Sequence, residues 1–522
     1  MWGGSRRRPP QPPPQTSSTL FLLTCTLAMA WLRLASAALY PVTPSIPQLT
    51  EGRRPSRRRQ LTSRESSRQV IRAVTEKKFD LVLFGASGFV GGIVTEYLLS
   101  TYGSVPDGWR WALAGRDMLK LKHLRELMVQ NMFFSRSHMA TTLMHMFCCF
   151  HALLSQAAQT RVVMSTVASS LLDYKLVDAC VRAGVHLCDL SAEPFYLKDM
   201  IETYHERAVA AGSCIVHSCG FDSIPADLGC LMMVNYLRER FDQPTAEVQY
   251  RISPWGLTGG GISGGKSQSL LVQSEEIWSG GMRAMAALSD PFFYVSDGER
   301  PAIIAGEDMG PGGLGYDHAE PGWTAPLAYA TNDSKVVHRS NSLLGNTYGN
   351  SECPFHYRSI RVFSGRILGL IPALLTTLLG HFMGLLALWP PTRALMAKVL
   401  LPKLGDGPSR SECAEGSFRI DFIAKGEYPV RLGCYGGVTA RGVFSSDHGD
   451  GAYAETSKMM TEAALCLALD TSKPTRGGVL TPAVAMGMQL IHRLNARGMQ
   501  IEVSRCICHL WQLLVPERYS LN

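Results

Sequence analysis

The sequence predicts an α/β fold with a doubly wound parallel sheet, and three observations carry that prediction. A fully apolar stretch, Leu81–Phe84 after Phe79-Asp80, runs into the turn Gly85-Ala86-Ser87-Gly88-Phe89-Val90-Gly91 and then the helical spacing Ile93, Val94, Tyr97, Leu98. Apolar runs of strand length then alternate with helical patterns as far as His217, the order that builds parallel sheets covered by helices. Finally, 522 residues, 46% hydrophobic and 18% charged, exclude a disordered chain, a collagen or a small disulfide scaffold. That length suits about two or three cored domains.

The first segment reads as an address. Arg6-Arg7-Arg8, the apolar run Leu20–Leu32 and the small residues Ala35-Ser36-Ala37 follow the layout of a secretory signal peptide. The run is short against the about 20 residues of a bilayer span. EGRRPSRRRQLTSRESSRQVIRA follows, rich in Arg and Ser and nearly free of acids, like an organelle transit peptide. Residues 1–76 are therefore expected to be a targeting presequence: a bipartite plastid one, or a single mitochondrial or plastid one with a hydrophobic middle. The secretory pathway is the alternative destination. The net charge of +8 belongs to this segment, where residues 1–70 hold eleven Arg and no Lys against Glu51 and Glu65. The body is close to neutral and offers nothing to a polyanion such as nucleic acid. The 14 cysteines are too sparse for a disulfide framework. The closest pairs, Cys148–Cys149 and Cys506/Cys508, match no zinc spacing, so no metal site is expected and the cysteines read as buried hydrophobes in a reducing compartment.

Strand, glycine turn and helix, in that order, are the setting of a dinucleotide-binding fingerprint. Glycine is required because the backbone must turn tightly and approach a pyrophosphate with no Cβ in the way, while the helix N-terminus offers amides and a positive dipole end. The spacing here is G-x-x-G-x-x-G, a variant of G-x-G-x-x-G, and the turn from Gly85 through Ala86, Ser87, Gly88, Phe89 and Val90 to Gly91 is assigned to the cofactor. A second strand, Trp111–Ala114, ends at Gly115-Arg116. An acid there would bind the ribose 2′-hydroxyl of NAD, whereas a base accommodates the 2′-phosphate of NADP. Arg116 thus favours NADPH over NADH; its plain alternative is a solvated strand-end charge. Arg161–Val167 is a further strand, and Thr166 and Val167 at its end join the cofactor set. A helix from Leu176 to Ala183 closed by Gly184, a strand Val185–Leu190, a helix Phe195–Ala211 closed by Gly212 and a strand Cys214–His217 complete the alternation. A Rossmann-type NADP-binding domain is expected over residues 77–228.

Ligands in such sheets sit beyond the carboxyl ends of the strands, so Gly220–Asp227 should face the cofactor. Asp222 and Ser223 are the candidate catalytic residues, able to polarise or protonate a substrate, and Asp227 can cap the following helix. An Asx turn plus N-cap without chemistry is the competing account. Asp189 and Glu193 form an acid/base pair or Glu193 only caps a helix; Tyr196 and His217 are candidate proton donors, though a histidine ending an apolar strand is commonly a core residue. Gly259-Gly260-Gly261-Ile262-Ser263-Gly264-Gly265-Lys266 lacks the G-x-x-x-x-G-K-[ST] spacing and reads as a flexible turn, with Lys266 and Ser267 as candidate substrate contacts. Ile367–Leu388 holds 22 residues without a formal charge. Flanked by Arg361, Arg366, Arg393, Lys398 and Lys403, it fits a transmembrane helix, a helix lying on a lipid surface, or a buried pair broken near Pro372 and Gly380.

GASGFVGG, LAGR, TRVV, LVDACVRAGVHLCDLSAEP, YHERA and CGFDSIPADLG, in that order, resemble the saccharopine dehydrogenase-like oxidoreductases, in the branch of the trans-acting enoyl reductases and their lipid-droplet homologues. The run Gly259–Lys266, Leu404–Ser409, Lys458–Leu467 and Gly477–Pro482 extend the resemblance, which covers roughly residues 79–127 and 151–503. It implies a Rossmann domain joined to an α+β domain, here residues 229–522, and a hydride transfer from NADPH to a lipid-linked or hydrophobic substrate. Two departures stand out. Residues 128–150 carry no acid and no strand period where a third strand is expected, as in intronic sequence read through or a lineage insertion. Val167-Ala168-Ser169-Ser170 replaces a Val-Gly-Pro-Tyr turn on the nicotinamide side. The expected partners are a hydrophobic small molecule, a membrane or lipid-droplet surface and a second copy of the chain. The alternative function is a lipid-surface scaffold that keeps the fold without turnover.

Overall fold

The computed structural model describes residues 77–102, 109–131, 142–145, 150–167, 174–258, 261–300, 313–318, 320–327, 329–351, 353–426, 437–470 and 476–508. The presequence, the turn at Ala168-Ser169-Ser170 and the pair Gly259-Gly260 lie outside the described residues. The alternating part runs β1 (Phe79–Phe84), α1 (Phe89–Tyr102), β2 (Trp111–Gly115), α2 (Met118–Asn131), β3 (Thr142–His145), α3 (Phe150–Ala157), β4 (Thr160–Ser165), α4 (Tyr174–Ala183), β5 (His186–Asp189), α5 (Pro194–Ala211) and β6 (Cys214–Val216). A second series follows: α6 (Ile224–Phe241), β7 (Thr245–Thr258), α7 (Gly264–Ser289), β8 (Gly315–Asp317), β9 (Gly322–Ala325), α8 (Ala330–Leu343) and β10 (His356–Phe363). The chain ends with α9 (Leu370–Leu388), α10 (Pro390–Val399), α11 (Arg410–Ala414), β11 (Ser417–Gly426), β12 (Val438–Ser446), α12 (Ala454–Leu465), β13 (Gly478–Leu480), α13 (Pro482–Ala496) and β14 (Gln500–Cys508).

The first sheet has the order β13-β6-β5-β4-β1-β2-β3, and every neighbouring pair in it is parallel. β1 reads as a nearly unbroken apolar run because both of its faces are covered. Leu81 and Leu83 pack with Val94 and Leu98 of α1, while Val82 and Phe84 pack with Leu176 of α4 and Leu197 of α5. Strand order reverses between β1 and β4, which opens a crevice at their carboxyl ends. The stretch 128–150 differs from its sequence reading: Thr142–His145 forms β3, in parallel register with Ala112–Gly115. Four residues at a sheet edge need one partner only, and a run that short cannot display a period.

The second sheet, β14-β12-β11-β7-β10-β9-β8, is mixed, with β7 and β10 parallel and its other pairs antiparallel. α6 lies against it so closely that a Cβ on Gly229 would stand 2.2 Å from the Phe422 ring of β11. The first layer is not confined to residues 77–228. β13 adds to β6, and α12 and α13 pack into the α1 side of its core.

Two buried carboxylates tie this return to the rest. Glu462 of α12, 1% exposed, accepts hydrogen bonds from Tyr97 and Tyr102 of α1 at 2.7 Å each and from Arg493 Nε of α13 at 2.9 Å, with Arg497 Nε at 3.6 Å. Burial, then the Glu462 carboxylate, push the Tyr102 hydroxyl up to about 12. Asp227 was read as a cap for α6; instead it accepts the Ala483 amide of α13 at 2.7 Å and the Ser340 hydroxyl of α8. Burial pushes its carboxyl up to about 7 against the opposing pull of those hydrogen bonds.

Glu462→Ala leaves two tyrosines and an arginine without their acceptor, so chemical denaturation should find the protein less stable by about 3–5 kcal/mol. Asp227 predicts a pH effect. Its carboxyl is protonated in the fold up to about pH 7 but ionises near 3.8 in the unfolded chain. The folded state therefore holds the extra proton in that window, and its stabilising contribution is lost as pH rises through it, by up to about 1.4 kcal/mol per pH unit. Urea midpoints measured across the window should fall more steeply in the wild type than in Asp227→Asn; equal slopes would contradict the assignment.

Candidate functional site

The glycine turn is shaped by contacts on three sides. Gly85 leaves β1 with a φ of 84° and donates its amide to Ala114 of β2 at 2.9 Å. A Cβ on Gly91 would stand 2.1 Å from the Gly85 carbonyl oxygen, so this residue is glycine because helix and turn touch there. Gly88 donates to the Gly85 carbonyl at 2.9 Å, and Ser87 and Gly88 are exposed. The first turn of α1 carries no acid, so its positive end is open to an anion. Thr166 and Val167 follow β4 beside this turn. The Thr166 hydroxyl lies 3.2 Å from both the Phe84 and Gly85 carbonyls, and a Cβ on Gly85 would stand 2.8 Å from either side chain. Ala86 is fully buried in the core and Val90 packs at its edge. The open start of α1 is what a pyrophosphate requires of such a turn.

Arg116 sits exposed two residues beyond Ala114. The carboxylate next to it, Asp117, accepts the amides of Leu119 and Lys120 at 3.0 and 3.1 Å and so caps α2. At the end of β2, the place of the ribose 2′-substituent in such folds, stands an exposed arginine, and the neighbouring acid is a helix cap, which suits a 2′-phosphate.

The opposite wall comes from the second half of the chain. Ser263 caps α7 by accepting the Lys266 amide at 3.4 Å, so the glycine-rich run is a helix start. Lys266 Nζ lies 3.7 Å from Asp222 Oδ1, both side chains being partly exposed. The ammonium also lies 5.4 Å from the centre of the Tyr453 ring, and that ring meets Phe89 of the glycine turn edge-on at 5.2 Å. Burial works to lower the Lys266 pKa, but Asp222 and then Tyr453 and Asp450 outweigh it and hold it above the ordinary lysine value. Gly407 closes the wall, since a Cβ there would stand 2.5 Å from the Phe89 ring. Beneath Asp222, Phe221 packs against Tyr329 and Phe418 at 5.9 and 4.9 Å and forms an aromatic floor.

Ser223 does not join this cleft. It is buried, its hydroxyl donating to the Asp222 carbonyl at 2.8 Å and accepting from Asn332 Nδ2 at 2.9 Å, so it positions the loop and cannot reach a substrate. Asp189 and Glu193 form no acid/base pair. Asp189 accepts the Ser191 amide at 2.9 Å and pairs with His217 Nδ1 at 2.8 Å, while Glu193 accepts the Ser269 hydroxyl of α7 and makes no cap bond to α5. His217 is buried, with the Tyr196 ring against it at 5.7 Å. Ser267 donates to the Ser263 carbonyl at 3.0 Å and faces inward. Tyr453 and Asp450 escaped the sequence reading; no motif marks them, and only the fold carries them some two hundred residues back to α7.

Residues 81–216 match the saccharopine dehydrogenase NADP-binding domain. Over 447 residues the chain is 32% identical to a protein of Mycobacterium tuberculosis (strain H37Rv) that carries a trans-acting enoyl reductase name, covering 83% of this chain and 99% of that one. It is 28% identical over 456 residues to the trans-acting enoyl reductase of Mycobacterium leprae, covering 82% and 99%. Among solved structures, the saccharopine dehydrogenase (L-Glu forming) of Saccharomyces cerevisiae aligns over 82% of this chain and 99% of that one, at 14% identity and a TM-score of 0.45. With its nucleotide cradle, its NADP-binding domain match and relatives aligned along nearly their whole length, the chain belongs to the saccharopine dehydrogenase-like oxidoreductases and uses NADP.

Proposed function

We propose that the protein reduces a double bond conjugated to a carbonyl, in a lipid-linked or otherwise hydrophobic substrate. The observation that carries this reading is the Lys266–Asp222 pair, set across the cleft from the glycine turn. The names of the mycobacterial relatives, enoyl reductases, support the same class of substrate. Gly85–Gly91 and Arg116 hold the pyrophosphate and 2′-phosphate, and bound NADPH supplies a hydride. Hydride addition to the β-carbon throws negative charge onto the carbonyl oxygen, and a proton taken up from solvent at the α-carbon completes the reduction. Lys266 places an ammonium at that oxygen, and Asp222 holds the ammonium in position and keeps it charged.

Fluorescence titration of the wild type should give tighter binding of NADPH than of NADH. Arg116→Ala should weaken NADPH alone by about 10–100-fold, the worth of a charge-assisted contact. Gly91→Ala should abolish binding of both nucleotides, because the added Cβ meets the backbone oxygen of Gly85. With an α,β-unsaturated acyl thioester as substrate, Lys266→Met should lower kcat by about 100-fold or more and leave NADPH affinity intact. Asp222→Asn should have a smaller effect in the same direction. A wild-type protein that binds NADPH yet reduces no unsaturated thioester would turn the reading to the lipid-surface scaffold, for which the exposed apolar face of α9 is the supporting observation.

A further inference from the structure

Helices on a protein surface bury their apolar stripe and show water their polar one. α9 does the reverse. Ile371, Leu374, Leu375, Leu378, Leu379 and Phe382 follow helical spacing and all face outward, Leu375 and Leu379 being 61% and 62% exposed. The side packed on the body carries mostly smaller groups, with Ala373, Ala387 and, at the very end, Leu388 buried and Thr377 half-buried. The exposed face continues through Ile367 and Leu368 before the helix, Leu395 and Val399 of α10, and Leu400 and Leu404 beyond it. A continuous apolar face of this extent marks an interaction surface.

The charges around it indicate what covers it. From Arg366 to Leu404 the sequence holds no Asp or Glu, while Arg366, Lys398 and Lys403 are exposed along its margins. An apolar face with a cationic margin is complementary to an anionic lipid–water interface. Among the described residues α9 is also the one helix long and apolar enough to cross a membrane. Its two ends are nevertheless fixed to one folded body. Before it, Trp323 Nε1 of β9 donates to the Arg366 carbonyl at 2.7 Å; after it, Arg393 pairs with Glu275 of α7. A helix of about 28 Å held flat at both ends lies along a surface and does not thread it.

We infer that α9 and α10 dock the protein in the plane of an anionic lipid surface. The docked face leads to the cleft. The turn after α10 touches α7 so closely that a Cβ on Gly264 would stand 1.9 Å from the Lys403 carbonyl oxygen, two residues before Lys266, and Gly407 lies on the Phe89 ring. The inference deepens the reductase reading by naming the source of its hydrophobic substrate, and its test is separate from turnover.

The experiment is flotation of the full chain with phosphatidylcholine vesicles, with and without phosphatidylglycerol, alongside NADPH titration as a control of folding. Wild type should float with the anionic vesicles and less in high salt. The triple variant Leu375→Glu, Leu379→Glu, Phe382→Glu should lose vesicle affinity by at least about tenfold and keep its NADPH affinity. Lys398→Glu with Lys403→Glu should weaken binding to anionic vesicles by about fivefold per lysine and leave binding to neutral vesicles unchanged. Equal flotation of wild type and triple variant would overturn the inference, placing membrane contact elsewhere in the chain. A wild type that stays in solution would overturn it too, and if it elutes at twice the mass of the triple variant, a second copy is what covers the stripe. Resistance of the wild type to alkaline carbonate extraction would replace lying along the surface with spanning it. NADPH binding and reduction of a short, water-soluble unsaturated thioester are read separately, so failure of docking and failure of the reductase reading give different results.

Discussion

The position of α1 is the constraint on which the cleft depends, and it is fixed from both ends. At its start, contact between Gly91 and the Gly85 carbonyl oxygen sets how the helix leaves the sheet, and so where its amides and dipole point. At its far end, Tyr97 and Tyr102 are bound to Glu462, which Arg493 also holds. One carboxylate thus joins three helices, two of them from the last seventy residues of the chain. A buried charge of this kind is costly to desolvate and is tolerated only where its oxygens are fully partnered. Here the partners are contributed by both α1 and α13, so the nucleotide cradle and the C-terminal segment stabilise one arrangement together.

The same return of the chain makes the cleft. A glycine turn alone is half a site, since it holds phosphates and does nothing to a substrate. Tyr453, just ahead of α12, supplies an edge to Phe89 and a face to Lys266, so one ring joins the cofactor side to the substrate side. Aromatic pairs and cation–π contacts are each worth about 0.5–1.5 kcal/mol. Their value here lies in geometry, because they fix the separation between the turn and the ammonium.

What could be read from the sequence follows from how local each determinant is. β1, β4 and β6 and the closing glycines Gly184 and Gly212 were legible because apolar runs and helix ends are written in adjacent residues. Asp222 and Lys266 were legible as candidates from strand-end position and from a glycine-rich run, but their pairing was not, because the two lie on different sheets' connections. Ser223 looked equally available. Its burial depends on Asn332 of α8, more than a hundred residues away. Asp227 was read as a cap for its own helix, as its position in the first turn suggests, whereas the fold brings it the free amide of another helix. Residues 128–150 misled for a different reason: composition without a period says little about a four-residue edge strand whose register is set by β2.

The segment from α9 to α11 joins these two levels of organisation. Its composition alone allowed a span, a surface helix or a buried pair, and the choice turns on which side of the helix faces the protein. The packed side uses alanine, threonine and the last leucine, which let α9 lie close to β9 and α7, and Leu374, Leu375, Leu378, Leu379 and Phe382 are left outside. Such an arrangement exposes apolar area with no compensation inside the molecule, at roughly 25 cal/mol for each Å² left in water. The segment then passes within van der Waals contact of Gly264 and Phe89, so its placement also sets the N-terminus of α7 and the position of Lys266. Whatever orients α9 and α10 therefore orients the start of α7 with them.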